Sequence, residues 1–307
     1  MAGNRDPKET VSLEDRFFIL GRVSKVWLQG VLLLILFVNP SFAQMLAGKE
    51  PSEQTSPGEK DGPNGVELDK DYLRGYITDT QSILTSPLRW EKEDWLKASL
   101  VAAVTMGLYA YDQNIQDWVQ KNRNTITDDV AKLVTPFGNG FVIFPALGVF
   151  YLYGCSEGDK RARSTALLSL ESLVLSSVFT GALKFTTHRY RPNEENQYNK
   201  WDGPSFSTSH LSFPSWQSSS AFAIGTVIAS EYSDKVWVPP LAYGIATLIG
   251  LTRIHNNDHW ASDVFLGSAI GFFTAKAIVA LHKKDIDLAV MPVIEDQFRG
   301  LALFYQF

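Results

Sequence analysis

Cysteine is nearly absent: Cys155 is the one thiol in 307 residues. That excludes an internal disulfide framework and a cysteine-rich zinc site. An excess of positive charge is absent as well. The 28 Lys and Arg are outnumbered by 33 Asp and Glu, for a formal net charge of −5, which leaves no electrostatic footprint for nucleic acid. Over most of its length the chain also lacks an alternating strand pattern, and it has no Gly-rich dinucleotide fingerprint. What is plentiful is apolar: 45% of residues are hydrophobic and 12% aromatic, against 20% charged. This suffices for a sizeable core and excludes a largely disordered chain. The mean hydropathy of −0.06 is too low for lipid-spanning helices alone; it averages a polar front third and an apolar middle.

The front third divides where composition shifts. Arg16, Arg22 and Lys25 precede an uninterrupted apolar run from Val31 to Val38, which stops at Asn39-Pro40, and Ser41-Phe42-Ala43 follows as a small-x-small cleavage site. Residues 1–43 therefore read as a secretory signal peptide, with an uncleaved anchor helix as the alternative. Either exports the rest of the chain. Residues 44–66, rich in Gly, Pro, Ser, Glu and Lys, read as a disordered spacer. A helical domain is expected over 67–285, opening with a surface or interfacial helix that carries Leu68, Tyr72, Tyr76, Ile83 and Leu84 and ends near Pro87. After Lys284, apolar runs at 288–294 and 301–307 flank a polar turn and read as a short β-hairpin over 286–307.

Between these ends lie six apolar stretches, at 95–111, 141–154, 165–185, 215–231, 236–252 and 260–281. Each is longer than a strand, and Ala, Leu, Gly and Ser recur at helical spacing, so the fold class expected is all-α, a bundle of six helices. Their hydropathy is intermediate, because the third carries Glu171 and the second is interrupted by Pro145. Membrane embedding or tight membrane association is the favoured reading, with a soluble bundle as the alternative.

Chemistry concentrates at the helix ends. Four of the five histidines, His188, His210, His255 and His259, fall between 188 and 259. The segment from Lys184 to Pro192 supplies Lys184 and Arg191, the segment from Ser212 to Ser220 opens a helix at Ser215, and the segment from Thr252 to Asp263 supplies Arg253, His259 and Asp263. Fixed cations and planar guanidinium forks suit a tetrahedral oxyanion, and a helix start adds free backbone N–H groups and a positive dipole end. His259 and Asp263, four residues apart at a helix start, share one face. A carboxylate there can fix the tautomer of the ring and leave its other nitrogen free to attack phosphorus.

In this order and spacing, Lys184-x6-Arg191-Pro192, Pro214-Ser215 and Thr252-Arg253-x5-His259-x3-Asp263 resemble the three-part signature of the type 2 phosphatidic acid phosphatase and vanadium haloperoxidase superfamily, over about residues 90–285. The resemblance implies a six-helix bundle and a metal-independent phosphatase. Lys184, Arg191, Arg253, Ser215 and the Trp216 backbone N–H would hold the phosphoryl group, His259 would be the nucleophile and Asp263 its orienting partner. It implies no cofactor, although vanadate or phosphate could occupy the site. The substrate implied is a phospholipid or isoprenoid phosphate at the membrane of an exported, bacterial-type cell envelope, with the site facing the periplasm.

The second motif departs from the family pattern Pro-Ser-Gly-His, reading Pro214-Ser215-Trp216-Gln217. By analogy, Gln217 stands where a histidine protonates the leaving oxygen, and an amide has no titratable proton near neutral pH. Three outcomes follow: a slow phosphatase best suited to good leaving groups, a displaced acid supplied by His210 or His255, or a catalytically impaired binder of anionic head groups. A vanadate-dependent haloperoxidase is disfavoured by the same missing histidine.

Overall fold

The computed structural model describes residues 68, 70–284, 289–295 and 298–304, with the backbone alone at 70, 71, 73, 283, 284 and in both terminal stretches. The expected signal segment and spacer lie outside the described residues. The chain divides into two units, Met1–Gln54 and Thr55–Phe307, and every described residue belongs to the second. Eight α-helices are described: α1 (Lys70–Leu84), α2 (Lys92–Lys121), α3 (Thr125–Val134), α4 (Gly140–Ser156), α5 (Lys160–Thr187), α6 (Trp216–Glu231), α7 (Val238–His255) and α8 (Ala261–Lys284). Short 3-10 turns, Ser86–Arg89 and Thr135–Gly138, follow α1 and α3. Two strands, β1 (Ala289–Glu295) and β2 (Phe298–Phe304), pair antiparallel with Ala289 opposite Phe304; how they pack on the bundle lies outside the described residues.

All six expected apolar stretches fall in or begin within two residues of helices, α2 and α4 to α8, and α1 covers the segment expected to open the helical domain. Side-chain caps set several starts. Asp159 Oδ1 accepts from the Ala162 N–H at 3.0 Å to open α5, and Asn139 Oδ1 accepts from the Phe141 N–H at 3.0 Å to open α4. The unexpected helix, α3, is opened by a reciprocal pair: the Thr127 N–H donates to Asn124 Oδ1 at 3.1 Å and the Asn124 N–H to Thr127 Oγ1 at 3.0 Å. Asp128, Asp129 and Lys132 break its apolar run, which hides it from a search for apolar stretches.

The centre is built by α5, α6 and α8, whose Leu168, Leu175, Val227, Ala275, Ile278 and Val279 form one buried cluster. Close approach of α6 and α8 requires glycine. A Cβ at Gly271 would lie 2.0 Å from the Ser219 carbonyl oxygen, and one at Gly267 would lie 2.3 Å from that of Ser215. Backbone thus meets backbone, holding the start of α6 against the first turns of α8.

Beside this apolar cluster the bundle buries many small polar side chains and exposes many large apolar ones. Its interior on α5 is lined by Ser164, Thr165, Ser169, Ser172, Ser176 and Thr180, whereas Leu133, Phe141, Val149, Leu152 and Val178 are exposed. Apolar side chains facing outward in such number need an apolar solvent, and small polar residues between helices are the usual glue of lipid-embedded bundles. Lys160–Thr187 and Ala261–His282 are long and apolar enough to cross a membrane, and Thr125–Gly138 with Gly140–Ser156, bent by 60°, makes a broken span or re-entrant loop. This is the construction of a membrane-embedded protein.

Replacing Gly271 by Ala should cost about 1–3 kcal/mol through overpacking, read as a lower unfolding midpoint in detergent. Gly148→Ala, where a Cβ meets nothing within 4 Å, should leave the midpoint unchanged or raise it.

Candidate active site

The site end of the bundle is organised around Arg189. Helix α5 stops at His188, which adopts φ 44° and ψ 58°, a left-handed conformation that turns the chain back on itself. Arg189, next in sequence, is fully buried. Its Nη2 donates to Asp112 Oδ2 of α2 at 2.7 Å, and its Nη1 donates to Asp263 Oδ1 at 2.6 Å and to Ser262 Oγ at 2.7 Å. Its Nε and Nη2 also reach the Tyr198 carbonyl at 3.1 and 2.8 Å. The rings of Tyr109, Trp201 and Trp260 stand 5.0, 4.8 and 5.4 Å from the guanidinium carbon. Asp112 in turn accepts from the Ser262 N–H at 2.9 Å and from Ser262 Oγ at 2.5 Å. One cation therefore ties α2, the α5–α6 loop and the start of α8 into a single piece.

Asp263 is the hinge between this hub and His259. Beyond Arg189, it accepts from Ser212 Oγ at 2.5 Å and from the Trp260 N–H at 2.9 Å through Oδ2. His259 Nδ1 faces the same oxygen at 3.6 Å, too far for a hydrogen bond, and has no hydrogen-bond partner. Asp263 thus stands beside the ring, as the spacing predicts, in line for a bond that a shift of about half an ångström would close. Burial pushes His259 down to about 4, with the charges of Lys184 and Arg191 adding to the effect and Asp263 opposing it. At neutral pH the imidazole is uncharged.

The other predicted residues converge on the same place. Lys184, in the last turn of α5, donates from Nζ to the Leu211 carbonyl and to that of Ser212 at 3.4 Å. Arg253, in the last turn of α7, donates from Nη2 to Thr135 Oγ1 at 3.0 Å and lies 3.3 Å from Asp258 Oδ2, while its buried Nε has no partner. Arg191 is close enough for its charge to act on Lys184, Arg253 and His259. Ser215 caps α6: its N–H donates to the Asp263 carbonyl at 2.9 Å and its Oγ accepts from Ser218 Oγ at 3.0 Å. The positive end of α6 therefore abuts the first turn of α8.

The irregular second motif resolves into two separate placements. The Trp216 indole donates from Nε1 to Ser177 Oγ at 2.7 Å, and its Cη2 lies 3.4 Å from where a Cβ on Gly140 would stand. The ring is packed toward α4 and α5, which accounts for its bulk without obstructing the start of α6. Gln217 lies against Gly138, 3.5 Å from where that residue's Cβ would stand, on the turn whose Thr135 receives Arg253.

The two candidate substitute acids are placed differently. His255 Nε2 faces Asp128 Oδ1 at 3.2 Å and Thr127 Oγ1 at 3.3 Å, both on α3. His210 stacks on Tyr190 with ring centroids 3.6 Å apart, and its Nδ1 lies 3.1 Å from Glu194 Oε2. That same oxygen accepts from the Arg191 N–H at 3.0 Å. Burial works against ionisation of Glu194, yet the Arg191 N–H and His210 outweigh it and hold its carboxyl below the usual range.

Sequence reasoning missed Arg189 and Asp112. The available signal was Asp112 itself, a lone carboxylate just past an apolar run, which demands a buried partner. Trp260, fully buried with Nε1 donating to the Tyr190 carbonyl at 2.9 Å, is core. A cavity of about 190 Å³, lined by Thr105, Met106, Tyr109, Trp201 and Phe213, opens beside the aromatic rings around Arg189.

Residues 165–287, which contain all three motifs, match the model of the PAP2 superfamily. Over these residues the chain is similar to that superfamily. The PAP2 region is similar to Lipid A 1-phosphatase of Porphyromonas gingivalis, 39% identical over 166 residues that make up 53% of this chain and 34% of that protein. The chain thus spans about a third of the length of the curated relative it matches. Two solved structures are also similar to it. Aquifex aeolicus LpxE is 23% identical with a TM-score of 0.44, covering 55% of this chain and 94% of that one. The first transmembrane PAP2 type phosphatidylglycerolphosphate phosphatase from Bacillus subtilis is 20% identical with a TM-score of 0.48, covering 61% and 96%.

Replacing Arg189 by Met should cost about 3–5 kcal/mol, because it leaves Asp112 and Asp263 buried without their cation. Arg123→Met, which breaks a half-exposed pair with Asp128, should cost no more than about 1 kcal/mol. Unfolding midpoints of the two variants check the contrast.

Proposed function

We propose that the protein is a metal-independent phosphatase of lipid phosphates or diphosphates that works through a phosphohistidine on His259. The observation that carries this reading is the buried His259, 3.6 Å from Asp263 Oδ2, in the company of Lys184, Arg191 and Arg253. In the first step a lone pair of the distal ring nitrogen forms a bond to phosphorus, the bond from phosphorus to the lipid oxygen breaks, and that oxygen leaves with the electron pair and takes up a proton. In the second step water attacks phosphorus, the N–P bond breaks, and phosphate and free imidazole are restored. Lys184, Arg191, the unpaired Nε of Arg253 and the N–H groups at the start of α6 stabilise the charge that builds on the phosphoryl oxygens. Asp263 orients the ring and stabilises its cationic form during transfer.

Kinship with a Lipid A 1-phosphatase supports a membrane lipid bearing a phosphate as the substrate. The acid step sets the limit. With Gln217 in the motif position, the best substrates are those whose leaving oxygen needs a proton least, such as a diphosphate. His210 is the better-placed substitute acid, since Glu194 links it to the Arg191 backbone, whereas His255 is committed to α3. The exported leader read from the sequence supports a site on the periplasmic side of the envelope membrane. Turnover of an impermeant aryl phosphate by intact spheroplasts tests that orientation, and activity appearing only after lysis would reverse it.

A phosphate-release panel of phosphatidate, phosphatidylglycerophosphate, prenyl diphosphate and an aryl phosphate tests the reaction class. His259→Ala should abolish release and the acid-quenched phosphoenzyme together; a variant retaining full turnover would remove the mechanism. Gln217→His should raise turnover of a lipid monophosphate about 10-fold or more, with little change for the diphosphate. His210→Ala should lower monophosphate turnover more than His255→Ala does.

The pH dependence follows from the depressed His259. The acid limb of kcat/KM should fall as pH drops through about 4, well below the ordinary value of 6.5. Between 6.5 and 4 the unfolded chain binds a proton at this residue that the folded chain does not, so stability should decline as pH falls across that window. His259→Ala should lack that component of the decline.

A further inference from the structure

The other end of α8 carries a second cluster, formed by Asp79 of α1, Glu171 of α5 and His282 of α8. His282 Nε2 lies 3.2 Å from Asp79 Oδ2 and 3.2 Å from Glu171 Oε2, and the three donor atoms all fall within 4.8 Å of one another. A ring nitrogen carries at most one proton and cannot donate fully to two carboxylates at once. Glu171 is 2% exposed, and its second oxygen, Oε1, is buried with no hydrogen-bond partner. The Tyr72 hydroxyl donates to Glu171 Oε2 at 3.1 Å, and its ring centroid stands 5.7 Å from that of His282.

We propose that Asp79, Glu171 and His282 form a binding site for one first-row divalent cation, zinc by its donor set. Imidazole with two carboxylates is a common ligand combination for such an ion. Ligands about 2.0–2.1 Å from a tetrahedral zinc stand about 3.3 Å apart, which is the nitrogen-to-oxygen spacing found on both sides of His282. Bound zinc would take the Nε2 lone pair in place of a proton and give the buried Glu171 carboxylate a fixed divalent partner, with the unbonded Oε1 able to become a second ligand from the same side chain. The Tyr72 hydroxyl would then fix the orientation of the Glu171 carboxylate, as outer partners of metal ligands do. His282 follows Asp263 by 19 residues on α8, about 28 Å along the axis. The ion is therefore remote from the phosphate chemistry, and its work is to fasten α1 to α5 and α8.

The test uses the full chain in detergent, purified without a polyhistidine tag, stripped of metal and titrated with zinc chloride alone in a calorimeter. One equivalent of zinc should bind. Glu171→Gln and His282→Ala should each weaken uptake at least 10-fold, Tyr72→Phe should weaken it by a smaller factor, and His259→Ala should leave it unchanged. Failure of the wild-type chain to take up zinc stoichiometrically, or equal uptake by Glu171→Gln and His282→Ala, would overturn the site and leave the cluster as an ion pair. Should those variants not fold, cobalt(II) added to the wild type provides the reading. Intense visible bands bleached by one equivalent of zinc support the site, and the weak spectrum of the hydrated ion refutes it.

Discussion

The end of the bundle that carries the motifs depends on the bridge that Arg189 makes between Asp112 and Asp263. Burying three charges is costly in itself, and a well-packed apolar trio is often at least as stable. What the bridge supplies is position. It holds one carboxylate at the start of α8, where it faces His259, and it sets α2 and the α5–α6 loop around that point. Hydrogen bonds from Ser212, Ser262 and Trp260 add to those from Arg189 on the two carboxylates, while the ring of His259 stands beside Asp263 without a bond to it.

The surrounding helices serve the same arrangement with opposite chemistry inside and out. Serine and threonine hydroxyls line the interior of α5, and several donate to carbonyls one turn back, as Thr180 does to Ser176 at 3.0 Å. Such side chains are small enough for the helices to approach, and those bonded to carbonyls of their own helix need no solvent to satisfy them. Glycines on α8 carry this to its limit against Ser215 and Ser219. The proximity brings the positive end of α6 up to Asp263, whose carbonyl accepts from the Ser215 N–H, without any long side chain as intermediary.

Much of this was legible in the sequence because it rests on periodicity and on helix-end chemistry. The six apolar stretches became helices, and Lys184, Arg191, Ser215, Arg253, His259 and Asp263 met at one end, since each lies within a turn or two of a helix terminus. Other features were hidden for identifiable reasons. Helix α3 owes its start to the Asn124–Thr127 exchange rather than to an apolar stripe. Arg189 sits between two residues of a recognisable motif, yet its partner Asp112 is 77 positions away, and no local pattern joins them. The direction of the Trp216 ring was likewise decided by a hydroxyl on another helix, that of Ser177.

The buried bridge also has an evolutionary consequence. A change at Asp112, Arg189 or Asp263 alone strands a charge in a dry interior, so these three positions can be exchanged only in concert, through intermediates that fold poorly. Trp216 and Gln217 belong to a different regime, since each is half-buried at the helix start and neither carries a charge that a substitution would strand. A substitution in the second motif therefore disturbs the fold less than one at the bridge, and His259 keeps its place beside Asp263 when Trp216 or Gln217 changes.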